Sequence, residues 1–321
     1  MIDTHAHAFP NLDHYTAQLG PGQAPAKSLL SLAGRLPRLL GTIAPSVGGG
    51  PLLGIERVAA MRRDASPRVA ATLEATLSTM AAPAVLCTGT LNRLIESMDR
   101  HGVQRTVLIS GPPVATNAWL LRTCREQAGG RFIAVPTLPD VPADADAAAW
   151  AAGFEKLADG GAGGFKLHAN LEGLPPRHAA YRAMFEVARA RGLFVIIHTG
   201  CFEIVSYKRK APSEPADFAH LLQDYPEVKV CLAHMNRDHP ERAWEVMRRF
   251  EQVYTDTSWQ PAERIRQAVR EVGLERILLG SDWPLLHPDL QGDALAVLRA
   301  AVSEADAERI GVANAEAFLG I

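Results

Sequence analysis

The sequence predicts an α/β fold: one closed barrel of eight parallel strands with a largely helical insertion after the first strand. Two observations carry this. Short apolar runs recur at residues 1–5, 105–111, 131–136, 164–168, 194–198, 228–234, 253–258 and 276–282. They lack polar alternation, which is the pattern of parallel strands buried on both faces. Between them stand stretches of helical periodicity, at 146–159, 177–191, 215–224, 240–252 and 261–272. Eight such alternations close into a (β/α)8 or TIM barrel. A chain of 321 residues, 47% hydrophobic, is long enough to bury that single core.

The first strand carries His5 and His7 one residue apart. Side chains at i and i+2 leave a strand on the same face, so the two rings can grip one ion. The competing reading is a chance pair. The next strand begins about a hundred residues later, where one βα unit needs about a third of that. Residues 10–90 are therefore an insertion, with helical pieces at 27–40, 56–63 and 67–80 around a Pro/Gly-rich break at 41–51. Loops that follow barrel strands rise from the carboxyl-terminal face, so the insertion is expected there, either as a lid or as a solvated decoration or oligomer contact. Farther along, the helices at 215, 240 and 261 open with proline, and the helix at 177–191 ends at Gly192 after Arg189 and Arg191. Both are ordinary helix punctuation.

The charge balance, 33 basic against 35 acidic residues, argues against a nucleic-acid or anionic-membrane partner. Cys87, Cys124, Cys201 and Cys231 are scattered without Cys-x-x-Cys spacing, which fits a reducing cytoplasm better than a disulfide framework. No apolar run approaches the ~20 residues of a membrane helix, and no secretory signal precedes the first strand. The expectation is a cytoplasmic protein that acts on a small molecule.

In a barrel of this kind, chemistry is assembled at the carboxyl ends of the strands. Here those ends read His5 and His7, Lys166 and His168, His198, His234 and Asp282, in a chain with 11 histidines. One histidine at a strand end is ordinary; a succession of them is not. Imidazoles with a carboxylate suit a borderline divalent ion, zinc first, with coordination left open for water.

The segments Ile-Asp-Thr-His-Ala-His, Phe-Lys-Leu-His, Ile-Ile-His-Thr-Gly, Leu-Ala-His-Met-Asn, Leu-Leu-Gly-Ser-Asp-Trp-Pro and the closing Asn-Ala-Glu-Ala-Phe-Leu-Gly together resemble the amidohydrolase superfamily. Within it they are most similar to the amidohydrolase-2 group, which holds decarboxylases of the aminocarboxymuconate-semialdehyde type and lactone hydrolases related to 2-pyrone-4,6-dicarboxylate lactonase. The resemblance covers the first strand and residues 105–321, not the insertion. It implies that His5, His7, His198 and Asp282 ligate one divalent metal, zinc in the first instance and manganese in the second, ahead of a binuclear site. It implies that His234 acts beside the metal in proton transfer or water orientation. Lys166 has two readings, a carboxylated bridge between two metals or, preferred, a cation paired with an acid or a substrate carboxylate.

Lys208 and Arg209 follow strand 5, Arg237 follows strand 6, and Trp259 follows strand 7, so with Lys166 and His168 they are candidates for substrate binding. The preferred activity is hydrolysis of an amide, lactone or ester of a small carboxylated substrate, with Asp282 taking the proton of the attacking water and His234 orienting that water or steadying the oxyanion. The alternative is non-oxidative decarboxylation of an unsaturated or aromatic carboxylate. The resemblance also extends to homodimers.

Overall fold

The computed structural model describes residues 1–10, 55–56, 59–60, 89–112, 114–200, 213–237, 239–285 and 289–321. All eight expected strands are present: β1 (Ile2–His7), β2 (Arg105–Ile109), β3 (Phe132–Val135), β4 (Gly164–Leu167), β5 (Phe194–His198), β6 (Val230–Ala233), β7 (Val253–Asp256) and β8 (Ile277–Leu278). β1–β3 form one parallel ladder and β4–β8 another. Backbone bonds cross both seams. At the first, Gly163 N donates to Ala134 O and Lys166 N to Pro136 O, each at 2.9 Å. At the second, Thr4 N donates to Leu279 O at 2.8 Å, Asp282 N donates to His5 O at 2.7 Å, and Ala6 bridges Trp283 in parallel. The ring of strands is therefore closed.

The described helices are α1 (Leu91–His101), α2 (Asn117–Glu126), α3 (Ala147–Asp159), α4 (Ala169–Glu172), α5 (Ala179–Arg191), α6 (Ala219–Asp224), α7 (Pro240–Arg249), α8 (Ala262–Val272), α9 (Leu290–Ala301), α10 (Glu304–Glu308) and α11 (Asn314–Leu319). Their ends follow from the sequence. Asp146 caps α3 by accepting from Ala149 N, and Gly192 closes α5 at φ 65°, a left-handed position that glycine takes without a Cβ penalty.

Alternation along the strands divides the core in two. Val195 and Ile197 of β5 join the large cluster between strands and helices. Phe194 and Ile196 join Val107, Ile109, Val135, Cys231, Ala233, Leu278 and Phe318 in a second cluster, the barrel interior. Phe318, from α11, stacks near Phe194 and Tyr254 and fills the interior from the amino-terminal end of the strands. That leaves the carboxyl end for polar side chains.

The seam between β8 and β1 has its own polar clamp. The buried Asp3 carboxylate accepts from His5 N at 3.2 Å, Ser281 N at 3.0 Å, Ser281 Oγ at 2.6 Å and Gln291 Nε2 at 2.9 Å. The eighth strand is shorter than the expected 276–282 because the chain bends after Leu278. Gly280 passes so close to Asp256 that a Cβ would lie 3.0 Å from its side chain, and Asp282 takes a left-handed φ of 61°.

The insertion leaves and re-enters the barrel at one point. Phe9 N donates to Gly89 O at 2.7 Å and Phe9 bridges Thr90. Within it, the helical residues Ile55 and Glu56 meet the first turns of α9 and α8. Ile55 N donates to Asp293 Oδ2, and Glu56 Oε1 accepts from Ala262 N, both at 2.7 Å. Helices that follow β7 and β8 begin at the carboxyl face, so this contact lies on that face. The pieces expected at 27–40 and 67–80, most of 56–63, and with them the choice between lid and decoration, lie outside the described residues. Cys124 and Cys231 are free thiols, and Cys87 and Cys201 also fall outside the described residues. Among the described residues, no helix is long and apolar enough to cross a membrane.

The Asn314 amide, buried at the start of α11, donates to Leu274 O at 2.7 Å and Ile277 O at 2.9 Å. Asn314→Ala removes two hydrogen bonds beneath β8 and is expected to lower stability by about 2 kcal/mol, read from the urea midpoint, with the metal affinity of the distant carboxyl face unchanged. An unaltered midpoint would refute this account of the closing helix.

Candidate metal centre

Three ligand atoms meet where β8 closes on β1. His5 Nε2 lies 3.6 Å and His7 Nε2 3.2 Å from Asp282 Oδ1, and the three residues form a set whose donor atoms lie within 4.8 Å of one another. The other ring nitrogens act as donors. His7 Nδ1 donates to the Ile109 carbonyl at 3.2 Å, and His5 Nδ1 donates to Asp256 Oδ2 at 2.9 Å. Both rings therefore carry a proton on Nδ1, and both Nε2 atoms face the Asp282 carboxylate. Nitrogens and carboxylate in this arrangement need a cation between them, a proton or a metal ion. The arrangement fits a divalent ion held by two imidazoles and a carboxylate, with further positions open.

The protonation states agree with that fit. Burial lowers His5, and nearby Lys166 adds to this, so the ring is neutral. Burial pushes Asp282 up, but its contact with His7 and the proximity of His5 and His234 more than reverse this and hold it well below the usual carboxylate range. Neutral imidazole and ionised carboxylate are the forms that ligate.

Asp256, at the end of β7, is the hub behind the ligands. Its Oδ2 receives His5, while its Oδ1 accepts from His234 N at 3.1 Å, from Ser258 N at 3.0 Å and from the Ser258 hydroxyl. The Ser258 hydroxyl in turn accepts from His234 Nδ1 at 2.7 Å. His234 thus also carries its proton on Nδ1, and burial beside His5 drives its pKa down to about 3. The second convergent set, His5, His234 and Asp256, is this hydrogen-bonded relay, since the Asp256 oxygens are taken by donors.

Backbone strain gathers on this face. Among the described residues, the non-glycine positions with positive φ are His234, Met235, Asn236, Arg237, Trp259 and Asp282. All follow β6, β7 or β8. Left-handed conformations of this kind cost of order 1–3 kcal/mol each and persist only where the surroundings over-determine them. Here Gln260 Nε2 donates to His234 O at 2.6 Å, and Asn236 Nδ2 donates to Glu214 Oε2 at 3.0 Å and to His239 O at 2.9 Å.

The remaining expected residues are distributed around this centre. His198, expected as a fourth ligand, stands one ring farther out: its centroid is 5.0 Å from that of His234, which is 4.7 Å from that of His5. His168 stacks on His198 at 3.8 Å with an interplanar angle of 8°. Lys166 is level with Ile196 and Cys231 in the strand register, inside the barrel. It is buried, and its ammonium has no hydrogen-bond partner among the described residues. Burial lowers its pKa against the opposing fields of Asp256 and Asp282. Trp259, expected on a pocket wall, uses its indole N–H on Asp282 Oδ2 at 2.8 Å, so it orients the carboxylate. Arg237 is buried against Gly200, two residues beyond His198. Lys208 and Arg209 lie outside the described residues.

The sequence reading missed Asp256, Ser258, Glu172 and Tyr181. The signal for Asp256 was available, an acid at an inward position at the end of an apolar strand. Ser258 and Tyr181 carry no comparable mark.

Asp256→Asn tests the hub. Three donors at Oδ1 require the amide oxygen there, which places the amide NH2 against His5 Nδ1. His5 must then accept at Nδ1 and carry its proton on Nε2, the ligand position. Metal affinity is expected to fall by at least the roughly 10–100-fold typical of outer-shell changes, measured by chelator competition, with folding retained. Wild-type affinity would refute the tautomer argument.

Comparisons with known proteins give the family and the fold. The family model described as Amidohydrolase matches residues 2–321. Gamma-resorcylate decarboxylase of Polaromonas sp. is 28% identical over 118 residues, 30% of this chain and 35% of that protein, so the match spans about a third of the curated relative. Among solved structures, 5-carboxyvanillate decarboxylase LigW from Sphingomonas paucimobilis is similar over 100% of this chain and 99% of its own, with 16% identity and TM-score 0.61. A dihydroxybenzoic acid decarboxylase from Polaromonas sp. JS666, with bound manganese and the inhibitor 2-nitroresorcinol, covers 75% of this chain and 90% of its own, with 20% identity and TM-score 0.55. A probable 2-pyrone-4,6-dicarboxylic acid hydrolase from Acinetobacter baumannii covers 73% and 90%, with 16% identity and TM-score 0.52. At these identities the solved structures speak for the barrel alone. The family match runs through every strand end that supplies the centre, and on that ground the chain belongs to the amidohydrolase family.

Proposed function

We propose that this protein is a metal-dependent carboxy-lyase that removes CO2 without oxidation from a small aromatic or unsaturated carboxylate. The observation that carries the reading is the buried Lys166 ammonium, without a hydrogen-bond partner among the described residues. The ionised Asp256 and Asp282 would offset a divalent ion there, so a cation at Lys166 favours an anionic substrate. The decarboxylases among the similar proteins support the same choice.

His5, His7, Asp282 and, one ring out, His198 would hold the ion. A divalent ion held there supplies Lewis acidity toward a substrate oxygen. Manganese is favoured by the ion in the similar dihydroxybenzoic acid decarboxylase, zinc by the imidazole-rich ligand set. The chain's own residues do the rest. Lys166 and Arg237 attract and orient the carboxylate. Cleavage of the carbon–carboxyl bond leaves its electron pair on carbon, and a proton must replace CO2 there. That proton comes from solvent: His234 Nε2 takes it up, the Nδ1–H, Ser258 and Asp256 relay behind the ring steadies the resulting imidazolium, and Nε2 delivers it to the carbon.

Hydrolysis of an amide, lactone or ester, the reaction first expected from the sequence, uses the same ligands. The feature that favours it is the neutral His234, a base able to orient water.

The purified protein, loaded with Mn2+ or Zn2+, should release CO2 from one or more members of a panel of hydroxybenzoates and unsaturated carboxylates. Chelation should abolish turnover, and the ion should restore it. Asp282→Ala should lose both metal and activity. Turnover of lactones or esters with no CO2 from any carboxylate would overturn the carboxy-lyase reading in favour of hydrolysis.

A further inference from the structure

His198 ends β5 and is buried. Its neighbour His168 lies flat against it, 3.8 Å between centroids and 8° between planes. Burial holds both rings well below the ordinary histidine pKa, with Lys166 contributing to each. Two neutral rings can stack face to face where two imidazolium ions would repel.

His168 is itself tightly held. It stands at the junction of β4 and α4, and its Nδ1 accepts from Leu171 N at 3.4 Å. Its backbone N–H donates to Glu172 Oε1 at 3.1 Å, and the other oxygen of Glu172 accepts from the Tyr181 hydroxyl at 2.7 Å. Tyr181 is buried on α5 and anchored in the main core. A second tie binds the same short helix to the loop beyond His198. Asn170 Nδ2 donates to Ser213 Oγ at 3.1 Å, and that hydroxyl donates to Gly200 O at 2.8 Å. α4 is thus fastened to the helix layer on one side and to the strand-5 loop on the other.

We infer that Glu172 and Tyr181 are positioning residues which, through the stacked ring of His168, set the orientation of His198 and with it the metal affinity of the site. The inference rests on His198 as a ligand. A ring that can rotate about its terminal torsion loses its aim at the ion, and outer-shell partners that prevent this are worth roughly 10–100-fold in affinity. The role belongs to geometry, because both carboxylate oxygens of Glu172 act as acceptors in fixed directions. A glutamine fulfils the same pattern, accepting from His168 N with its oxygen and donating to the Tyr181 oxygen with its amide. Phenylalanine at 168 keeps the stacking face.

The test is metal affinity of the full-length protein by chelator competition with Mn2+ and Zn2+. His168→Ala and Glu172→Ala are expected to weaken binding roughly 10–100-fold, Tyr181→Phe by less, while His168→Phe and Glu172→Gln remain close to wild type. Two results would overturn the inference alone: Glu172→Gln as damaging as Glu172→Ala, which would assign the effect to charge, or unchanged affinity in His168→Ala while His198→Ala abolishes binding. Should Glu172→Ala fail to fold, Tyr181→Phe and the two substitutions at 168 decide the question. Wild-type affinity in His198→Ala would remove the ligand assignment, and the inference with it.

Discussion

The closure of β8 onto β1 is the constraint on which the site depends. His5 and His7 come from the first strand and Asp282 from the last, so no local structure brings them together. Three sets of bonds do: Thr4 N to Leu279 O, Asp282 N to His5 O, and the four donors gathered by Asp3. The backbone bond between Asp282 and His5 joins two of the candidate ligand residues directly. The stability of the barrel and the geometry of the ligands therefore share the same seam, and a change that loosens one loosens the other.

Behind that seam, a single carboxylate organises the rings. Asp256 fixes the tautomer of His5 directly and that of His234 through Ser258. Trp259 steadies the free edge of Asp282. The positive-φ residues after β6, β7 and β8 are the local cost of this arrangement, since the chain turns sharply where these strands end. Extensive hydrogen bonding of the adjacent loops offsets that cost.

The barrel was legible because its signal is repeated: each strand is apolar throughout, and eight such runs could be counted before any contact was known. The candidate ligands were picked out on a related ground, as polar side chains at the ends of apolar strands stand out. The orienting residues were not. Ser258 and Tyr181 have identities shared with many core and loop positions, and their roles arise from distances between segments that the linear pattern does not encode. Trp259 shows the limit in another form. An aromatic after a strand was read as a wall for substrate, whereas its indole nitrogen is directed at Asp282. Likewise the end of β8 was placed too late, because the left-handed turn at Asp282 has no mark in a non-glycine sequence.

The bridge between Phe9 and Thr90 has a consequence for how such a protein can change over evolutionary time. Because the long excursion begins and ends at neighbouring positions, its length hardly enters the geometry of the barrel, and the entropy of closing a loop grows only with the logarithm of its length. Selection can therefore rewrite this segment, which touches α8 and α9 at the carboxyl face, while the ligands and their supports stay fixed. The barrel conserves the chemistry, and the excursion is where new specificity can be tried.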